Sequence, residues 1–184
     1  AFNLPLIPHY LSQTVLNQSD RVMIANMVGK SEAAIYSVAY TISMMFTIVT
    51  NAINNTFIPY TYKAVRDKKI KELKGSSNFL VLFVGLACII AMAFGAEIIR
   101  IFASPEYYAA RWVVPPVAEA LFFMFVYPLF CNIEFYFEKT KIIMFASGVA
   151  AVVNIGLNYI GIKMFGYVAA AYTTLFSYIL MAFF

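Results

Sequence analysis

The stretch FLVLFVGLACIIAMAFGAEII, residues 79–99, decides the fold. It is apolar on every side, with Glu97 as its one charge. An amphipathic surface helix would show a polar face recurring every 3.6 residues, and this run has none. A helix of roughly 20 such residues crosses a hydrocarbon core of about 30 Å. The rest of the chain repeats the signal. Of 184 residues, 62% are hydrophobic and 12% charged, against about 25% charged in soluble domains; mean hydropathy is +0.78. Period-2 alternation is absent, and lipid admits only helices or closed barrels because it offers no water to backbone groups. The chain reads as an all-α integral membrane protein.

Working outward, six transmembrane helices are expected, over residues 6–28, 33–58, 79–99, 113–135, 142–162 and 167–184. Pro59 is expected to close the second. Pro115 and Pro116 stand near the start of the fourth, and Pro128 inside it removes a backbone hydrogen bond and kinks the helix. The longest connection expected is YKAVRDKKIKELKGSSN, between the second and third spans. It leaves no room for a soluble catalytic domain, so any function must be carried out between the helices.

The connections also set the orientation. That basic segment holds Lys63, Arg66, Lys68, Lys69, Lys71 and Lys74, and the next connection on the same side holds Lys139 and Lys141. The opposite side holds Lys30, Arg100, Arg111 and Lys163, so the count is eight against four. The richer side is cytoplasmic by the positive-inside rule, which puts both ends of the chain inside. The same asymmetry accounts for the net charge of +4 without a nucleic-acid partner. The basic run either binds lipid headgroups or serves only to orient the protein. The chain starts at Ala1 and ends in SYILMAFF, inside an apolar run, and is expected to be a piece of a longer membrane protein.

The first span is the polar exception. His9, Gln13, Asn17 and Arg21 recur every four residues, with Asp20 beside the last; on a helix they form one stripe. A charge at bilayer depth costs about 2.5–3.5 kcal/mol even on the lenient insertion scale, which marks a polar pathway or an internal pair. The second span carries Thr47, Asn51, Asn54 and Asn55 on one face; the fifth carries Ser147, Asn154 and Asn158, and the sixth Thr173 and Ser177. Either two polar faces meet across a cavity, or the groups bond between helices at about 0.6 kcal/mol each. Gln13, Asn17, Asp20, Arg21, Asn51, Asn55 and Glu134 are the candidate cavity residues. Glu134, like Glu138, lies at the cytoplasmic end of the fourth span. Cys88 and Cys131 read as small buried hydrophobes. With one His and no Cys/His cluster, neither a metal site nor a nucleophile–base pair is expected. No cofactor is expected, and no enzyme activity.

Four stretches, NQSDRVMIANMVGKSEAAIYSVAY, NAINNTFIPYTYK, IIRIFASPEYYAARWVVP and LNYIGIKMFGYVAAAYTTLFSY, occur in an order that resembles the polysaccharide repeat-unit flippases. These are the O-antigen and capsular members of the multidrug/oligosaccharidyl-lipid/polysaccharide exporter superfamily, and the likeness is to their C-terminal half. The resemblance implies one six-helix lobe of a two-lobed bundle, with the N-terminal lobe of the same protein as its missing partner. It implies a bacterial cytoplasmic-membrane transporter that moves an undecaprenyl-diphosphate-linked oligosaccharide outward, among membrane lipids and beside a polysaccharide polymerase. In that picture Arg21 meets the diphosphate or an acidic sugar, and Asp20 neutralises Arg21 or binds a coupling cation. A lipid II or multidrug exporter, a membrane polymerase or ligase, and a non-transporting scaffold are the alternatives.

Overall fold

A computed structural model describes residues 6–183, all of whose regular elements are helical. The order is α1 (Leu6–Met27), α2 (Lys30–Arg66), α3 (Ile70–Ala93), α4 (Gly95–Phe102), a 3-10 segment (Pro105–Trp112), α5 (Val114–Tyr136), α6 (Thr140–Phe165) and α7 (Ala169–Phe183). The expected end of the last span at residue 184 lies outside the described residues. Four helices are long and apolar enough to cross a membrane: α2, α3, α5 and α6. The polar stripe keeps α1 out of that group, and α7 is a shorter apolar helix.

Two boundaries differ from those expected. Pro59 does not close α2, which runs 37 residues to Arg66. A proline deletes one hydrogen bond, here the one to the Asn55 carbonyl, and helices in protein surroundings tolerate the loss. The buried side chains of Phe57, Thr61 and Ala64 hold both sides of Pro59 in the bundle. The long basic loop accordingly does not exist. Lys63, Lys71 and Lys74 sit on two helix ends, and Lys68 and Lys69 in the three-residue turn that joins them, Asp67 to Lys69.

The turn is a Schellman motif. Lys69 N–H donates to the Ala64 carbonyl (2.8 Å) and Lys68 N–H to that of Val65 (3.2 Å), with Lys68 in the left-handed region at φ 57°. The α5–α6 turn repeats it: Lys139 donates to Glu134 (2.9 Å), Glu138 to Phe135 (3.1 Å), and Glu138 also has φ 57°.

The second difference lies in residues 79–99, where α3 stops at Ala93 and α4 begins at Gly95. A Cβ at Gly95 would lie 2.7 Å from Cγ1 of Val114, so the backbone here passes directly against the start of α5. Pro115 and Pro116 occupy the first turn of α5, where no N–H is needed.

α5 is central and packs against α2, α3 and α7; α6 packs on α1 and α7. Ala146, Ala150, Ala151, Ala170 and Ala171 are buried on α6 and α7, where small side chains let the backbones approach. Leu82, Leu86, Ile89, Val152 and Phe176 point outward as a lipid-facing belt.

Candidate functional site

Two polar regions occupy opposite halves of the bundle. The first is a sealed network around Asp20, which is 1% exposed. Its Oδ2 accepts from the Tyr36 hydroxyl (2.6 Å) and from Thr174 Oγ1 (2.8 Å); its Oδ1 accepts from Asn158 Nδ2 (2.7 Å). Asn158 Nδ2 also donates to Asn154 Oδ1 (3.1 Å), which accepts from Ser19 Oγ as well (3.0 Å). Asn154 Nδ2 donates to Thr174 Oγ1 (3.0 Å), and Thr173 Oγ1 donates to Asn158 Oδ1. Asp20 Oδ2 and Asn154 Oδ1 each accept two of these bonds. Beside it, Asn17 Oδ1 accepts from the hydroxyls of Tyr40 (3.0 Å) and Tyr178 (2.9 Å). The network thus ties α1 to α2, α6 and α7.

Asp20 has no cationic partner at ion-pair distance. Among the described residues the ion pairs are Arg66–Asp67 and Lys69–Glu72, both on exposed ground. Arg21 turns elsewhere: Nη2 donates to the Asn17 carbonyl (2.7 Å), the guanidinium carbon lies 4.7 Å from the Tyr40 ring centroid, and Nε is buried without a partner. Hydrogen bonds to a charged acceptor contribute about 1.5–3 kcal/mol each. Three of them offset much of the several kcal/mol that burying a carboxylate costs.

The second region is an open cavity of about 300 Å³ in the other half, between α1, α2, α5 and α7. His9 and Gln13 line it from α1, and Thr47, Thr50, Asn51, Asn54, Ile58 and Tyr62 from α2. From α5 come Leu121, Met124, Phe125, Tyr127, Pro128, Cys131, Asn132 and Phe135, and from α7 comes Met181. Four amides, two threonines and several aromatic rings face this space, with no Asp, Glu, Lys or Arg among them. Asn132 Nδ2 donates to Asn54 Oδ1 (3.0 Å). His9 Nδ1 is buried without a partner, and the Tyr127 hydroxyl has only the weak thiol of Cys131 beside it.

The expected residues divide between the two regions. Gln13 and Asn51 line the cavity; Asn17, Asp20 and Arg21 belong to the network and its edge. Asn55 is exposed outside the cavity, whereas its neighbour Asn54 faces in. Glu134 is half-buried and does not line it, although Asn132 and Phe135 on either side do. Sequence reasoning missed Asn132, Tyr127, Tyr36, Tyr178 and Thr174. The one signal for Asn132 was an amide in an otherwise apolar run just after Pro128.

A bundle of apolar helices with a polar cavity at one end and a sealed network at the other is suited to passing a solute across a bilayer. Comparison with known proteins agrees. Residues 5–160 match the family model of MatE. A Haemophilus influenzae protein described as "Lsg locus putative protein 1" is 24% identical over 161 residues, covering 84% of this chain and 39% of that protein. A second from the same organism, described as "Uncharacterized membrane protein", is 22% identical over 158 residues, covering 85% and 39%. The chain thus spans about two-fifths of the length of these relatives. No solved structure matches it. With most of its length under the family match, the chain belongs to the MatE family, whose members are multi-pass membrane transporters and not enzymes.

Proposed function

We propose that this chain is one lobe of a flippase carrying undecaprenyl-diphosphate-linked oligosaccharide repeat units from the cytoplasmic to the outer leaflet of a bacterial inner membrane. The observation that carries the reading is the chemistry of the cavity. Side-chain amides can both donate and accept, so they can meet the hydroxyls of a sugar ring. Tyr62, Phe125, Tyr127 and Phe135 offer flat apolar faces for its C–H side. The volume lies at the low end of the roughly 300–1,000 Å³ of small-molecule sites, as suits one wall of a chamber completed by a second lobe.

Six crossings, with α1 and α7 joining the four longest helices, give the lobe its topology. The positive-inside rule places the Lys/Arg-rich turns in the cytoplasm. The cavity then opens toward the cytoplasm, and the Asp20 network closes the outward half. Arg21 lies at the edge of that closure with Nε unpaired, and in this reading its guanidinium would meet the diphosphate or an acidic sugar as the outer half opens. A polysaccharide polymerase at the outer face would receive the product.

The test is flipping of a fluorescent lipid-linked oligosaccharide by the protein of natural length in vesicles. Asn51→Leu and Asn132→Leu should each slow flipping while insertion stays normal. Unchanged rates in both, or export of a lipophilic cation dye in place of the glycolipid, would sink the reading.

A further inference from the structure

Away from the cavity, on the opposite side of α2, a groove of about 850 Å³ runs between α2 and α3. We propose that it binds an anionic glycerophospholipid of the cytoplasmic leaflet, with one acyl chain in the groove and the phosphate at the basic turn. This rests on the membrane-spanning placement of the chain and is independent of the glycan reading.

The groove changes character along its length. Its deep end is walled by Ile53, Phe57, Phe79 and Leu80. Roughly 10 Å further along α2, two turns of helix, the hydroxyls of Tyr60 and Ser76 meet at 3.1 Å across its floor. One further turn brings Lys63, in register with Thr56 and Tyr60 on the same face. Apolar walls, then hydroxyls, then cations is the sequence of groups along a phospholipid: chain, ester linkage, phosphate.

The charge at the mouth favours an anion. Of its two carboxylates, Asp67 is taken by Arg66 Nε (2.9 Å) and Glu72 by Lys69 Nζ (3.1 Å). Lys63, Lys68, Lys71 and Lys74 form no ion pair among the described residues, so the mouth keeps an excess of positive charge. A zwitterionic lipid brings its own cation to this surplus, whereas an anionic one brings only the complement. Room for the lipid at the level of its ester linkage is left at Gly75, where an added Cβ would meet nothing within 4 Å.

The protein of natural length would be reconstituted in phosphatidylcholine vesicles holding a trace of phosphatidylglycerol with a photoactivatable acyl chain. The parallel sample carries photoactivatable phosphatidylcholine. Labelling by phosphatidylglycerol should fall on residues 52–60 and 75–80 and exceed that by phosphatidylcholine. Each of Lys63→Gln and Lys71→Gln should lower that excess by about fivefold. Gly75→Leu, which fills the groove without touching the charge or breaking the helix, should abolish labelling by both lipids. Equal labelling by the two lipids, labels on other helices, or indifference to Gly75→Leu would each overturn the assignment. So would displacement of the label by a polyprenyl diphosphate more effectively than by unlabelled phosphatidylglycerol, which would give the groove to the transported lipid.

Discussion

Asp20 and Arg21 are neighbours in the chain and do not pair. The carboxylate accepts from Tyr36, Thr174 and Asn158, and the guanidinium lies across the ring of Tyr40 and bonds its own helix. Each charge has therefore been given separate surroundings, and the two can be altered separately.

Asp20→Asn keeps the size of the side chain and turns one of its two acceptor oxygens into a donor that faces donors already there. Leaving such a buried bond unmade costs about 1–3 kcal/mol. Thermal unfolding in detergent should show a lower midpoint. An unchanged midpoint would mean that the three bonds to Asp20 contribute nothing to stability.

Arg21→Lys keeps the charge and the contact with Tyr40, whereas Arg21→Ala removes both. Cation–π contacts contribute about 0.5–2 kcal/mol, so stability should fall modestly and only in the Ala variant. Flipping should survive Lys and fail with Ala while membrane insertion stays normal. Normal surface polysaccharide in cells with the Ala variant would remove Arg21 from the exit path.

Gly95→Ala places a methyl group 2.7 Å from Val114 Cγ1. Overpacking of this kind costs about 1–3 kcal/mol. The double variant Gly95→Ala/Val114→Ala should recover part of that loss, and the recovery, read from unfolding midpoints, is the coupling between α4 and α5. Strict additivity would mean that the clash is relieved elsewhere.

Lys68 and Glu138 hold left-handed backbone with side chains that disfavour it, at about 1–2 kcal/mol per residue. Lys68→Gly and Glu138→Gly should each stabilise the protein, by less than that figure because glycine also loosens the unfolded chain. Raised midpoints in both would verify the two turns, and lowered ones would contradict the left-handed assignment.

The sequence made the membrane class, the main helices and two amide partners of α1, Asn154 and Asn158, legible, because hydrophobic runs and isolated amides are local signals; the hydroxyl partners Tyr36, Thr174 and Tyr178 were not. Three features were not local. Pro59 reads as a stop, yet the residues after it are good helix formers whose buried faces keep the helix going. The break before Gly95 is set by Val114, nineteen positions away in sequence and adjacent in space. The stripe on α1 was drawn as one face, but a four-residue step overshoots a full turn by about 40°. From His9 to Arg21 the drift reaches roughly 120°. The lower part of the stripe therefore faces the cavity, and the upper part packs against α2, α6 and α7.

The unbroken length of α2 has a mechanical consequence. Its 37 residues make an arm of about 55 Å, well over the thickness of the hydrocarbon core. If α2 rocks by roughly ten degrees about its outer end, the Lys68 turn sweeps about 10 Å. A small rearrangement around Tyr36 and Tyr40 would thus become a large displacement at the Lys68 turn, where a pair of spectroscopic labels could follow it.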